Sequence, residues 1–163
     1  MFKIVCLIAS LFLLSCKTTN YYVVRHAEKE TNTMTSDVLL SAVGEERAIA
    51  LKNTLGDSNI STIFSTNYKR TLATVEPLRK QLGITIRLYD TKDTLKGFVN
   101  TLNKLDNGNV LIVGHSNTVD DIVNKLSGEK KIAGDLQDSQ YGDLFVVKKR
   151  GNNYSFEKRH FGQ

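Results

Sequence analysis

The sequence predicts a three-layer α/β sandwich: a mostly parallel sheet with helices on both faces and an antiparallel hairpin at the C-terminal end. Two observations carry this. Strand-like apolar runs alternate with helical stripes along most of the chain, the order expected of a parallel sheet covered on both faces. Near the end, two β-rich runs flank Gly151-Asn152, a two-residue hairpin signal. The length of 163 residues, with 40% hydrophobic and 24% charged residues, fits one domain with one core.

The elements follow in order. Tyr21-Tyr22-Val23-Val24 is a short β-rich run. Lys29 to Leu39 is polar and aperiodic, a loop after that strand. Ser41 can cap a helix whose apolar positions Ala48, Leu51 and Leu55 share a face, with Gly56 as its stop. Ile60 to Thr66 reads as a second strand, and Asn67 to Leu82 as helical, with Pro77 expected to kink it or start a new turn. Ile84, Ile86 and Leu88 alternate as in a strand. Leu95, Phe98, Val99 and Leu102 form a helical stripe, and Val110 to Val113 a buried-strand run. Val119, Ile122, Val123 and Leu126 form the last helical stripe, closed by Gly128. Leu144–Val147 and Tyr154–Phe156 are the arms of the hairpin.

Composition narrows the function classes. One Pro and 11 Gly exclude collagen-like and low-complexity chains. Two Cys and three His leave little for a zinc site, so no metal ligand set is expected. The net charge of +5 is spread along the chain, which does not indicate a nucleic-acid partner.

The N-terminus reads as an address. Lys3 supplies a positive start, and Ile4 to Leu14 an apolar stretch too short to span a bilayer. Leu13-Leu14-Ser15-Cys16 resembles a bacterial lipobox, with Cys16 as the lipidated residue and Leu14 larger than usual at its position. The expected organisation is a signal peptide over 1–15, lipidated Cys16 with a short tether over 16–20, and one folded domain over 21–163. A plain cleaved signal or an uncleaved anchor are the alternatives. Removing residues 1–15 also removes Cys6, so the mature chain cannot form an internal disulfide. The expected location is outside the cytoplasm, on a membrane held through Cys16.

Ligands of open parallel sheets bind outside the carboxyl ends of the strands. Three predicted strand ends carry suitable groups: Arg25-His26, Ser65-Thr66 followed by Lys69-Arg70, and Gly114-His115-Ser116-Asn117 at a helix start. Guanidinium forks match phosphate oxygens, imidazole can act as nucleophile or proton carrier, and a helix N-terminus offers N–H groups to an anion. These residues predict a cup for a phosphoryl group with a nitrogen nucleophile inside it.

Val24-Arg25-His26-Ala27-Glu28 resembles the Arg-His-Gly/Ala signature of the histidine phosphatase superfamily, also called phosphoglycerate mutase-like. Asp37 to Gly44 resembles that family's Leu-Ser/Thr-x-x-Gly helix start. Ser65 to Arg70 with Thr74 to Leu78 is similar to its second-arginine motif, and Val113 to Thr118 to its second-histidine motif. The resemblance implies the phosphoglycerate mutase-like fold, His26 as nucleophile, and Arg25, Arg70 and His115 as ligands of the phosphoryl oxygens. It implies no metal and no other cofactor. Glu28, and alternatively Asp90, are the candidate proton donors, with Asp93 in the same region as Asp90. Asn117 is a helix cap or a phosphate contact. Asn32 lies where some relatives carry a substrate-binding Asn.

His160 reads as exposed and idle, Tyr141 and Phe145 as packing residues, and Lys148-Lys149-Arg150 as a solvated hairpin tip. The expected activity is hydrolysis of a small phosphorylated substrate, such as a sugar phosphate or a phosphorylated envelope glycolipid. The alternatives are a non-catalytic phosphate-binding domain and a phosphohistidine protein phosphatase, the latter disfavoured by export. A mutase is disfavoured because this chain lacks the extra segments of the larger mutases.

Overall fold

The computed structural model describes residues 17–31, 34–105 and 108–163. Residues 1–15, expected to be a signal peptide and including Cys6, the candidate lipidation site Cys16 and Asn32 lie outside the described residues. The elements are β1 (Thr18–Arg25), α1 (Ala42–Leu55), β2 (Ile60–Ser65), α2 (Lys69–Leu82), β3 (Ile86–Leu88), α3 (Lys96–Asn103), β4 (Asn109–Gly114), α4 (Ser116–Ser127), β5 (Asp143–Arg150) and β6 (Asn153–His160). They form one six-stranded sheet in the order β3-β2-β4-β1-β5-β6. The pairs among β3, β2, β4 and β1 are parallel, and β5 and β6 run antiparallel.

The apolar runs are continuous because both faces of the sheet are covered. Along β1, Tyr21 and Val23 enter a core shared with Phe98, Leu102, Val119 and Ile122 of α3 and α4. Tyr22 and Val24 point the other way, to Leu51, Leu55, Val75 and Leu78 of α1 and α2. β4, at the centre, contributes Val110 and Ile112 to one core and Leu111 and Val113 to the other, all fully buried.

The structure corrects the sequence reading at several places. β1 starts at Thr18, and Thr18, Thr19 and Asn20 pair with Arg150, Lys149 and Lys148 of β5. Residues 18–20 are therefore sheet and not tether: polar side chains at a strand end hid their extended backbone. Pro77 does not restart the helix: α2 runs through it from Lys69 to Leu82. β3 has three residues, with Ile84 packed against the α1/α2 core just before it. Asp93, Thr94 and Leu95 have φ of 51°, 53° and 62°, a left-handed turn ahead of α3 that nothing in their side chains announces. Leu95 is nonetheless 2% exposed, so its burial helps to hold this turn.

The start of α1 is fixed by contacts with the segment after β1. Ser41 Oγ accepts from the Gly44 N–H, and the Ser41 N–H donates to the Glu28 carbonyl. Gly44 is needed because a Cβ there would lie 2.1 Å from the Glu28 carbonyl oxygen. Gly44→Ala is expected to lower stability by about 1–3 kcal/mol, since backbone must move to admit the methyl. Gly97→Ala, in the open first turn of α3, is expected to raise it by up to about 1 kcal/mol. Urea unfolding of both variants against wild type checks the pair.

Candidate active site

Adjacent placement of β2, β4 and β1 brings three strand ends together. Arg25 is paired in register with Gly114, and the His26 N–H donates to the Gly114 carbonyl at 2.9 Å. His115 follows directly and caps α4. β2 ends at Ser65, and Arg70 stands in the first turn of α2. The cup between them has a volume of about 550 Å³ and is lined by Arg25, His26, Arg70 and His115, with Ser116 and Asn117 of the α4 N-terminus. The four predicted residues thus meet in one place, and the two imidazole centroids lie 5.4 Å apart.

His26 is 4% exposed, and its Nδ1 lies 2.7 Å from the Ala27 carbonyl oxygen. A carbonyl only accepts, so Nδ1 carries the proton and Nε2 keeps its lone pair. The Ala27 N–H is held in turn by Thr74 Oγ1 at 2.9 Å. Burial, reinforced by the charges of Arg70 and Arg25 and against the pull of the Ala27 carbonyl, lowers the His26 pKa to about 3. Burial and the same two arginines lower that of His115 to about 4. Both rings are neutral at pH 7, as a nitrogen nucleophile requires.

Arg25 is braced on one side. Its Nη1 donates to the Gln137 carbonyl, and its Nη2 to Asp138 Oδ1 and the Tyr141 hydroxyl, all at 3.0–3.1 Å. The Tyr141 ring also lies 3.9 Å from the guanidinium carbon. Tyr141 is therefore a bracket for Arg25 and not simply a packing residue. Arg70 donates to the Ser36 carbonyl and lies 3.4 Å from His115 Nδ1. The Nε of each arginine is buried with no partner. A buried guanidinium N–H without an acceptor is costly, and two of them beside one cup suit an oxyanion.

Neither predicted proton donor faces this cup. Glu28 turns away to Arg47, whose Nε and Nη2 reach its carboxylate at 2.6–2.9 Å. Partial burial raises the Glu28 pKa, but the Arg47 hydrogen bonds and charge outweigh it and hold the group below the usual range. Arg47 also donates to the carbonyls of Phe161 and Gln163, so the pair ties the segment after His26 to the chain end. Asp90 is exposed, binds the backbone N–H and ammonium of Lys92, and lines the neighbouring cavities instead. Asp135, which sequence reasoning missed, is the carboxylate lining the cup among the described residues. Tyr68 and Arg47 were also missed, and Thr66 was read only as the end of a strand. No spacing signal marks them, because their partners are brought in by the fold.

The remaining assignments are simple. Phe145 packs in the core at 2% exposure. His160 is half exposed, 3.9 Å from Asp143, and outside the cup. Lys148 and Arg150 are exposed beside the hairpin turn.

Comparison with known proteins agrees with this geometry. The model of the histidine phosphatase superfamily (branch 1) matches residues 21–93, which include Arg25, His26 and Arg70. No curated protein matches the chain. Among solved structures, a provisionally assigned phosphohistidine phosphatase SixA from Agrobacterium tumefaciens is similar at 18% identity and a TM-score of 0.66, over 88% of this chain and 97% of that one. The protein histidine phosphatase SixA complexed with tungstate gives 16% identity and a TM-score of 0.67, over 86% and 96%. Phosphoserine phosphatase from Entamoeba histolytica in complex with 3-phosphoglyceric acid gives 12% and 0.62, over 89% and 97%. The fold is the phosphoglycerate mutase-like fold.

The depressed histidine pKa values have a stability consequence. Below about pH 6.5 the unfolded chain takes up protons that the folded chain refuses until pH 4 or 3, so stability falls as pH drops through this window. In phosphate-free buffer, the wild-type loss between pH 7 and 4.5 should exceed that of a His26→Gln/His115→Gln variant by on the order of 2 kcal/mol or more. Urea unfolding at the two pH values measures it.

Proposed function

We propose that the chain is a member of the histidine phosphatase superfamily and a phosphatase that acts on phosphate monoesters through a phosphohistidine on His26. The observation that carries this reading is the His26 ring: Nδ1 is committed to the Ala27 carbonyl, leaving Nε2 to attack inside a cup of two arginines. Nε2 attacks phosphorus, the P–O ester bond breaks, and the leaving oxygen takes a proton from solvent water. Water then attacks phosphorus, the P–N bond breaks, and inorganic phosphate leaves a neutral His26. Arg25 and Arg70 offset the charge of the transferring group, and the α4 N-terminus adds backbone dipoles. In a non-catalytic phosphate binder, a nitrogen held neutral in this way would have no task.

His26→Ala is expected to lower kcat on aryl phosphates by roughly 10⁴-fold or more. Acid-labile, base-stable phosphate should accumulate on His26 during wild-type turnover. Steady-state rates and quenched labelling check both, and a fully active His26→Ala would remove the nucleophile assignment.

One observation favours a second reading, a phosphohistidine protein phosphatase. Both carboxylates expected to protonate a leaving alkoxide are engaged elsewhere. Imidazole, with a conjugate-acid pKa near ~6.5, leaves more readily than an alkoxide. Three of the similar structures carry phosphohistidine or protein histidine phosphatase names. For either substrate, Glu28→Gln and Asp90→Asn should leave the dependence of rate on leaving-group pKa unchanged. A series of substituted phenyl phosphates tests this, and a selective loss on the poorest leaving groups would restore that residue as donor.

The N-terminal address supports an exported protein held to a membrane through lipid on Cys16, with a small phosphorylated molecule as partner and no role for nucleic acid.

A further inference from the structure

The tautomer of neutral His115 is left undetermined by the catalytic outline, and the hydroxyls behind the ring determine it. His115 Nε2 lies 2.9 Å from Thr66 Oγ1, and Thr66 Oγ1 lies 3.1 Å from Thr71 Oγ1. Thr71 Oγ1 is 2.9 Å from each of the Thr66 and Tyr68 carbonyl oxygens. Thr66 is 3% and Thr71 0% exposed, so solvent does not compete.

The donors can be counted. Carbonyls only accept, so the Thr71 hydroxyl proton points to them. Thr71 Oγ1 must then accept from the Thr66 hydroxyl, which uses the only proton Thr66 has. Thr66 Oγ1 is left as an acceptor toward the ring, so Nε2 of His115 carries a proton. The neutral ring thus keeps its lone pair on Nδ1, 3.4 Å from Arg70 Nη2.

We propose that Thr66, backed by Thr71, is a positioning residue that holds His115 as the Nε2–H tautomer, so that Nδ1 faces the phosphoryl group and gains a proton from solvent when the dianion binds. This rests on the reading of the cup as a phosphoryl site. The bound ring then donates twice, to Thr66 through Nε2 and to a phosphoryl oxygen through Nδ1. Without the anion, burial disfavours that second proton, and so do the groups around the ring: Arg70 on α2, and Arg25 beside neutral His26 at the end of β1. The Tyr68 ring meets His115 edge-on at 5.1 Å, and Asp135 lines the exposed side of the cup. A dianion placed among these cations reverses the balance.

The test uses the ¹⁵N-labelled full chain, with inorganic phosphate as the probe and two variants. Thr66→Val removes the hydroxyl, and Thr66→Ser keeps it. Long-range ¹H–¹⁵N spectra of His115 at pH 7 should show the Nε2–H tautomer in free wild type and Thr66→Ser, and two protonated nitrogens once phosphate is added. In Thr66→Val the Nδ1–H tautomer should appear. Its phosphate affinity and its kcat/KM on an aryl phosphate should fall about 10- to 100-fold, while Thr66→Ser stays within about 3-fold of wild type. An Nδ1–H tautomer in free wild type would overturn the proposal, as would unchanged phosphate affinity in Thr66→Val. Equal losses in Thr66→Ser and Thr66→Val would also overturn it. Should Thr66→Val fail to fold, the wild-type and Thr66→Ser spectra still decide. If His115 behaves as stated yet no ester is hydrolysed, the phosphatase reading fails and this one stands.

Discussion

The site depends on placing two guanidinium groups and two imidazoles in one small cup with little negative charge facing it. Such a cluster is tolerable only if the imidazoles stay uncharged, and burial under the α2 and α4 turns keeps them so. The same neutrality that lets the domain fold gives His26 a free lone pair. The cup's positive charge and the free nitrogen of His26 therefore share one cause, and the polar brackets around the cup serve it. Asp138 and Tyr141 hold Arg25 in place, while Arg47 takes the Glu28 carboxylate, two residues after His26, out of the cup. A Glu28 free to face His26 would pair with the arginines and compete with a phosphate dianion.

Much of this was legible in the sequence, and the legible part has a common character. Arg25-His26, Arg70 and His115 each sit at the junction of an apolar run and a helix start, and in a parallel sheet such junctions collect on one edge. Local patterns were enough to locate them. The two-faced burial of β1 and β4 was likewise written in their unbroken apolar runs. What could not be read depends on contacts across the fold. The partner of Glu28 lies nineteen positions away on α1, and the brace on Arg25 more than a hundred positions away. Their spacing carries no period and matches no turn signature. The left-handed turn at Asp93–Leu95 is of the same kind, since Thr94 and Leu95, without a preference for that conformation, are held there by the burial of Leu95.

The Thr66 and Thr71 hydroxyls show how the sheet edge organises chemistry one layer behind the reacting groups. Thr66 was legible as the end of a strand, and Thr71 as part of a helical stretch. Their role follows only when the β2–α2 turn folds back beneath His115 from the neighbouring strand. A single direction of hydrogen bonding then runs from ring to hydroxyl to hydroxyl to carbonyl, and its polarity is set at the far end, where only acceptors are available.

The extension of β1 back to Thr18 has a consequence for orientation. The strand enters the sheet at Thr18 and delivers Arg25 to the cup at its other end, a run of eight residues or about 26 Å. Whatever precedes Thr18 therefore joins the domain at the edge of the sheet opposite the cup, and the rim that carries Arg25, His26 and His115 stays clear of that junction.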